Sequence, residues 1–78
     1  METIIVDYIS HELADRPELL PLTHDTPLLD SGRVDSLSLV KLILFIEKQF
    51  NITVDESDVL PENFETIDAI CAYIRTRQ

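Results

Sequence analysis

Apolar positions recur at helical spacing in three stretches of the chain. In residues 2–14, Ile5, Ile9 and Leu13 repeat every four positions with Ile4 and Tyr8 beside them, which predicts a first helix with one apolar face. Glu2 and Asp7 lie early in it, where negative charge suits the helix dipole, and Pro17 ends the pattern. Residues 36–50 give the strongest signal. Leu39, Leu42, Ile43, Ile46 and Phe50 follow the i, i+3, i+4, i+7 rule and are expected to face the core. Leu37, Val40 and Leu44 form a second apolar line on another face. A helix packed on two sides would explain that line, and so would an exposed docking surface. Asn51 and the β-branched run Ile52-Thr53-Val54 stop this helix. Residues 55–60 are expected to make one short helical turn closed by Pro61. Residues 66–76 read as the last helix, with Thr66 as N-cap, a stripe of Ile67, Ile70, Cys71 and Ile74, and Arg75 and Arg77 at the negative end.

The segment between the first two helices, residues 16–35, is long for so small a chain. It holds Pro17, Pro21, Pro27 and the only glycine, Gly32. Asp25-Thr26-Pro27 and Asp30-Ser31-Gly32 are turn signals. It also carries Leu19, Leu20, Leu22, Leu28, Leu29 and Val34, so it reads as an ordered loop held down by its own apolar side chains.

Composition narrows the function classes. Fifteen Asp and Glu against six Lys and Arg give a formal net charge of -9. A phosphate backbone or an anionic membrane surface would repel such a chain. A hydrophobic content of 45% is too high for an acidic disordered tail. The single Cys, Cys71, can form no internal disulfide. No apolar run approaches the roughly 18 residues of a membrane span, and no signal peptide is visible. The expectation is a soluble, cytoplasmic, monomeric and mostly helical protein, with residues 1–78 forming a single free-standing domain. Charge is uneven. Residues 1–35 hold eight acids and two Arg, a balance of -6, and residues 51–78 hold six acids and two Arg, a balance of -4. Residues 36–50, with Lys41, Lys48 and Glu47, balance at +1.

Most chemistry finds no constellation. His11, His24 and Cys71 are far apart in sequence, and the acids Asp55, Glu56 and Asp58 lack calcium-loop spacing, so no metal site is expected. Both histidines are expected to be solvated. Cys71, on an apolar stripe, reads as a small buried hydrophobe rather than a nucleophile. No phosphate-cradling Gly-rich loop or nucleophile elbow is present. One serine stands apart. Ser36 lies where the long loop meets the central helix, within Leu28-Leu29-Asp30-Ser31-Gly32-Arg33-Val34-Asp35-Ser36-Leu37. It could be an ordinary N-cap. It is also placed where backbone N–H groups and the dipole favour a phosphate on its oxygen, with apolar Leu37 and Val40 following.

Asp35-Ser36-Leu37, set after a Leu-rich turn and before an apolar helix, resembles the attachment motif of acyl carrier proteins. The resemblance runs through almost the whole chain. It extends to Phe50-Asn51-Ile52-Thr53-Val54 and to Pro61-Glu62-Asn63-Phe64-Glu65-Thr66-Ile67. It implies an all-α, four-helix bundle with a long ordered loop between helices one and two and a short third helix. It also implies a carrier rather than an enzyme: Ser36 receives a 4′-phosphopantetheine arm from coenzyme A, and the arm's thiol holds an acyl or aminoacyl group as a thioester. Asp35 and Leu37 belong to the attachment motif, and Val40, Lys41, Leu44 and Glu47 would line the docking face together with Leu37. The implied partners are a phosphopantetheinyl transferase, an adenylating acyl or aminoacyl ligase, and downstream acyl-processing enzymes. Two departures bear on subtype. The second helix is less acidic than in fatty-acid carriers, and Val34-Asp35-Ser36 stands where peptidyl carriers have Gly-Gly-His-Ser. The pattern Leu29-Asp30-Ser31-Gly32-x-x-Asp35-Ser36 is closer to free-standing carriers of an amino acid or small acid, the D-alanyl group included. The alternative is an interaction module of the same layout that carries no arm, with Ser36 only capping its helix.

Overall fold

The computed structural model describes all residues, Met1–Gln78. Four α-helices and no strands make the molecule: α1 (Glu2–Glu12), α2 (Ser36–Phe50), α3 (Pro61–Phe64) and α4 (Ile67–Arg77). Short 3-10 turns lie at Pro17–Leu19 and Glu56–Asp58. The all-helical bundle expected from the sequence is the observed fold. Helix α1 stops at Glu12 rather than at residue 14, because the Leu13 N–H is already shared between the Ile9 and Ser10 carbonyls and the chain leaves helical geometry there. The region before α4 also differs. The short turn expected over 55–60 is there as Glu56–Asp58, but Pro61 does more than follow it: it opens α3, where its fixed φ suits the first helical position and its missing N–H costs nothing. Asn63 Nδ2 donates to the Asp58 carbonyl at 2.8 Å and ties the two turns together.

One core joins every element. Ile5 and Ile9 of α1, Leu42 and Ile46 of α2, Phe64 of α3, and Ile67, Ile70, Cys71, Tyr73 and Ile74 of α4 are buried in it. The core contains no buried charged or polar residue. Helix α4 lies against both α1 and α3. Tyr8 stacks on Phe45 at 4.1 Å between ring centroids and links α1 to α2. At the end of α2, Asn51 takes the left-handed conformation (φ 54°), which asparagine tolerates better than branched residues.

The long loop is anchored at both ends. Leu22, Leu28 and Val34 are buried, which explains its leucine content. The Leu28 N–H donates to Glu65 O at 2.8 Å, and Val34 N–H to Leu28 O at 3.0 Å. Gly32 sits at φ +78°, a backbone conformation that a side chain would strain. His24 is exposed but not merely solvated. Its Nδ1 lies 2.7 Å from Asp68 Oδ2, while its carbonyl accepts the Asp68 N–H at 3.0 Å. The loop is thereby fastened to the start of α4.

Candidate functional site

The loop delivers the chain to α2 through Asp35 and Ser36. Asp35 is extended (φ −92°, ψ −174°) and is the N-cap: its Oδ1 accepts the Ser38 N–H at 2.9 Å, and its carbonyl accepts the Leu39 N–H at 2.8 Å. The Ser38 N–H first, and then the Ser38 side chain, hold the Asp35 carboxyl below its ordinary range. The cap is therefore Asp35, not Ser36, and the simple explanation of Ser36 as a capping serine does not hold. Ser36 is the first residue of α2 and is exposed. The neighbouring side-chain hydrogen bonds involve Ser31, Arg33 and Asp35, and none engages the Ser36 hydroxyl.

Beyond Ser36 the two faces of α2 separate. Leu42 and Ile46 point inward, with Leu39, Ile43 and Phe50 half-buried. Leu37, Val40 and Leu44 are 69%, 54% and 59% exposed. Their line starts next to Ser36 and is not covered by a second layer of the bundle. Lys41 is also exposed, but its ammonium pairs with Glu12 Oε1 at 3.0 Å, and that hydrogen bond raises its pKa. Glu47 is half-buried, and its Oε2 accepts the Val54 N–H at 2.9 Å, fixing the segment that follows α2. Of the charged residues expected along this face, both are engaged within the molecule. Cys71 is 3% exposed in the core, and burial pushes its thiol pKa up, which keeps it a protonated, poor nucleophile.

Two supporting contacts were beyond the reach of sequence patterns. Arg33 Nε donates to the Leu19 carbonyl at 2.9 Å and draws the two ends of the loop together three residues before Ser36. The His24–Asp68 pair joins residues far apart in the chain. Neither spacing carries a signal, because both depend on how the loop folds back. The largest surface depression, about 530 Å³, is lined by charged and polar residues such as Asp58, Glu62 and Arg77 and does not include Ser36.

These features match known proteins. Residues 4–74 match the family model described as phosphopantetheine attachment site. The acyl carrier protein of Exiguobacterium sibiricum is 30% identical, over 97% of this chain and 95% of its own length. The aminoacyl carrier protein 1 of Bradyrhizobium diazoefficiens is also 30% identical, over 72% of this chain and 61% of its own length. The D-alanyl carrier protein of Streptococcus suis is 41% identical over 59% of this chain and 58% of its own. A chain in a crystal structure described as that of an FAD-dependent dehydrogenase superposes with a TM-score of 0.78 at 32% identity, covering 91% of this chain and 99% of that one.

The chain belongs to the phosphopantetheine attachment family. It is a carrier protein of the acyl and aminoacyl class, with 4′-phosphopantetheine as its cofactor, and as a carrier it is acted on by modifying and processing enzymes rather than being catalytic itself. The residues present fit that group: an exposed serine hydroxyl at a helix start, free of internal hydrogen bonds, beside a capped first turn. No helix is long and apolar enough to cross a membrane.

Proposed function

We propose that residues 1–78 act as one monomeric cytoplasmic carrier unit in which Ser36 bears the arm. The observation that carries this reading is the exposed Ser36 hydroxyl at the first position of α2, with Asp35 taking over the cap. A serine bonded to its own helix would have to give up that bond to be modified; Ser36 does not. In the modification Ser36 Oγ forms a new bond to phosphorus, the pyrophosphate bond of coenzyme A breaks, adenosine 3′,5′-bisphosphate leaves, and the serine proton passes to the transferase. The bound group supplies a terminal thiol for thioester formation. Asp35 holds the helix start rigid, so the hydroxyl is presented at a fixed place. Leu37, Val40 and Leu44 give incoming enzymes an apolar strip running from the modified residue. Lys41, held by Glu12, and Glu47, held by Val54, frame that strip.

The cargo is an amino acid or small acid, loaded by an adenylating ligase through an acyl-adenylate. The near-neutral charge of α2, the Asp30-Ser31-Gly32 turn, and the similarity to aminoacyl and D-alanyl carriers support this subtype. The structural match supports a flavin-dependent dehydrogenase as one class of downstream enzyme acting on the tethered cargo. Tethering raises the local concentration of cargo at each successive enzyme.

The test is intact mass. Purified protein incubated with coenzyme A and a broad-specificity phosphopantetheinyl transferase gains one phosphopantetheine, and Ser36→Ala gains none. A folded wild-type chain that gains nothing would overturn the assignment. The armed protein is then offered to adenylating ligases with a panel of amino and carboxylic acids. Selective loading of fatty acids would overturn the subtype.

A further inference from the structure

Ser36 has a neighbour that the attachment reaction does not need. Leu29, Gly32 and Val34 from the loop, with Asp35, Ser36 and Leu39 from the start of α2, line an open depression of about 350 Å³. That volume falls within the range of about 300–1,000 Å³ typical of small-molecule sites. Half of its lining residues are apolar. Of the apolar lining residues Val34 is buried, while Leu29 and Leu39 are half-buried and so keep part of their surface uncovered. Gly32 leaves the mouth open: a Cβ there would meet nothing within 4 Å. The other open depressions, against Tyr8 and Phe45 and against Tyr73 and Arg77, do not include Ser36.

We propose that this depression is a resting site for the pantoyl segment of the arm, with its geminal dimethyl group seated between Leu29 and Leu39. The inference rests on Ser36 as the attachment residue. The dimethyl carbon is the first apolar group along the arm and lies only a few bonds beyond the phosphate. A depression that contains the attachment serine in its own wall is the nearest apolar surface for it. Two methyl groups make a weak contact, but tethering turns it into an intramolecular one at high effective concentration, so the seated form is populated and still easily pulled out by an enzyme. The phosphate remains at the solvent-facing end of α2, where the helix dipole favours it. The thiol then leaves the carrier in a preferred direction, along the loop side of α2 and away from the Leu37, Val40 and Leu44 strip, so that the docking strip stays clear while cargo is carried.

The experiment uses methyl-labelled holo protein, with attachment at Ser36 first verified by mass. Nuclear Overhauser contacts are measured between the unlabelled pantoyl methyl protons and the Leu and Val methyls. The expected contacts are to Leu29 and Leu39, with apo-to-holo amide shifts larger at Gly32 and Leu39 than at Leu44. Leu29→Ala should remove its own contact and weaken the Leu39 contact. Holo protein whose pantoyl methyls touch only Leu37 or Leu44, or no side chain at all, would overturn the resting site while leaving the attachment intact. Failure to add mass at Ser36 would overturn both.

Discussion

Ile46 and Val40 lie on the same helix, and the fold assigns them opposite fates. Ile46 is 0% exposed at the centre of the core, and Val40 is 54% exposed. Ile46→Ala removes three buried methylene equivalents, worth about 0.8 kcal/mol each in transfer, so about 2.4 kcal/mol before any cavity is counted. The cavity left among fixed neighbours brings the loss into the range of about 2–5 kcal/mol. A domain this size has a total stability of about 4–12 kcal/mol at roughly 0.05–0.15 kcal/mol per residue, so the variant gives up a large share of it. At about 4–8 °C per kcal/mol, a loss of about 3 kcal/mol lowers the melting temperature by roughly 12–24 °C. Val40→Asp exchanges one indifferent helix former for another at an exposed site and should stay within about 0.5 kcal/mol of wild type. Thermal melts by circular dichroism compare the two directly. The reciprocal readout is docking: Val40→Asp should slow modification by the transferase while its melt is unchanged. If Val40→Asp unfolds the protein as severely as Ile46→Ala, the two faces of α2 have been assigned wrongly.

Other substitutions probe the loop and the thiols. Asp35→Ala removes the α2 cap and should lower the melting temperature, whereas Asp35→Asn keeps a capping side chain and should melt near wild type; equal melts for both would deny the cap its role. His24 is held protonated above its ordinary 6.5, first by the hydrogen bond to Asp68 and then by the charges of Asp68, Asp25 and Glu2. Its stabilisation is therefore complete below that ordinary value and is lost as pH rises through the raised one. The melting-temperature gap between wild type and His24→Ala should shrink as pH rises from below the ordinary histidine value through the raised one, and a gap that widens would reverse the sign. Buried Cys71 should resist a thiol reagent in the native apo protein and react fully in denaturant, and the holo protein should show one fast thiol belonging to the arm; rapid labelling of native apo protein would contradict the burial.

The sequence made the three long helices legible because their burial is one-sided. Ser36–Phe50 matches the expected range residue for residue, since Asp35 caps one end and Asn51 turns the other. Ile67, Ile70, Cys71 and Ile74 are buried as the stripe requires. The place of Phe50 in the apolar period predicts a core residue, but it is the last residue of α2 and is half-buried, so Phe50→Ala should cost less than Ile46→Ala. The short turn at Glu56–Asp58 lies within the expected 55–60, whereas α3 carries no separate signal because a proline reads equally as a stop and as a start. The site was legible in part. Composition and periodicity leave both a capping Ser36 and a presented one open; the motif's resemblance to carriers favours the second, and the structure shows that the cap is Asp35. The supports of the loop, Arg33 to Leu19 and His24 to Asp68, were invisible because each joins segments that only folding brings together.

The most direct test is to locate the arm by residue. Cleavage after Arg33 and Lys41 releases the peptide Val34–Lys41, which contains Ser36 and Ser38 but not Ser31. Tandem mass spectrometry of this peptide from enzymatically armed protein should assign the phosphopantetheine to Ser36 alone. An arm found on Ser38 or Ser31, or one that persists in Ser36→Ala, would contradict the account.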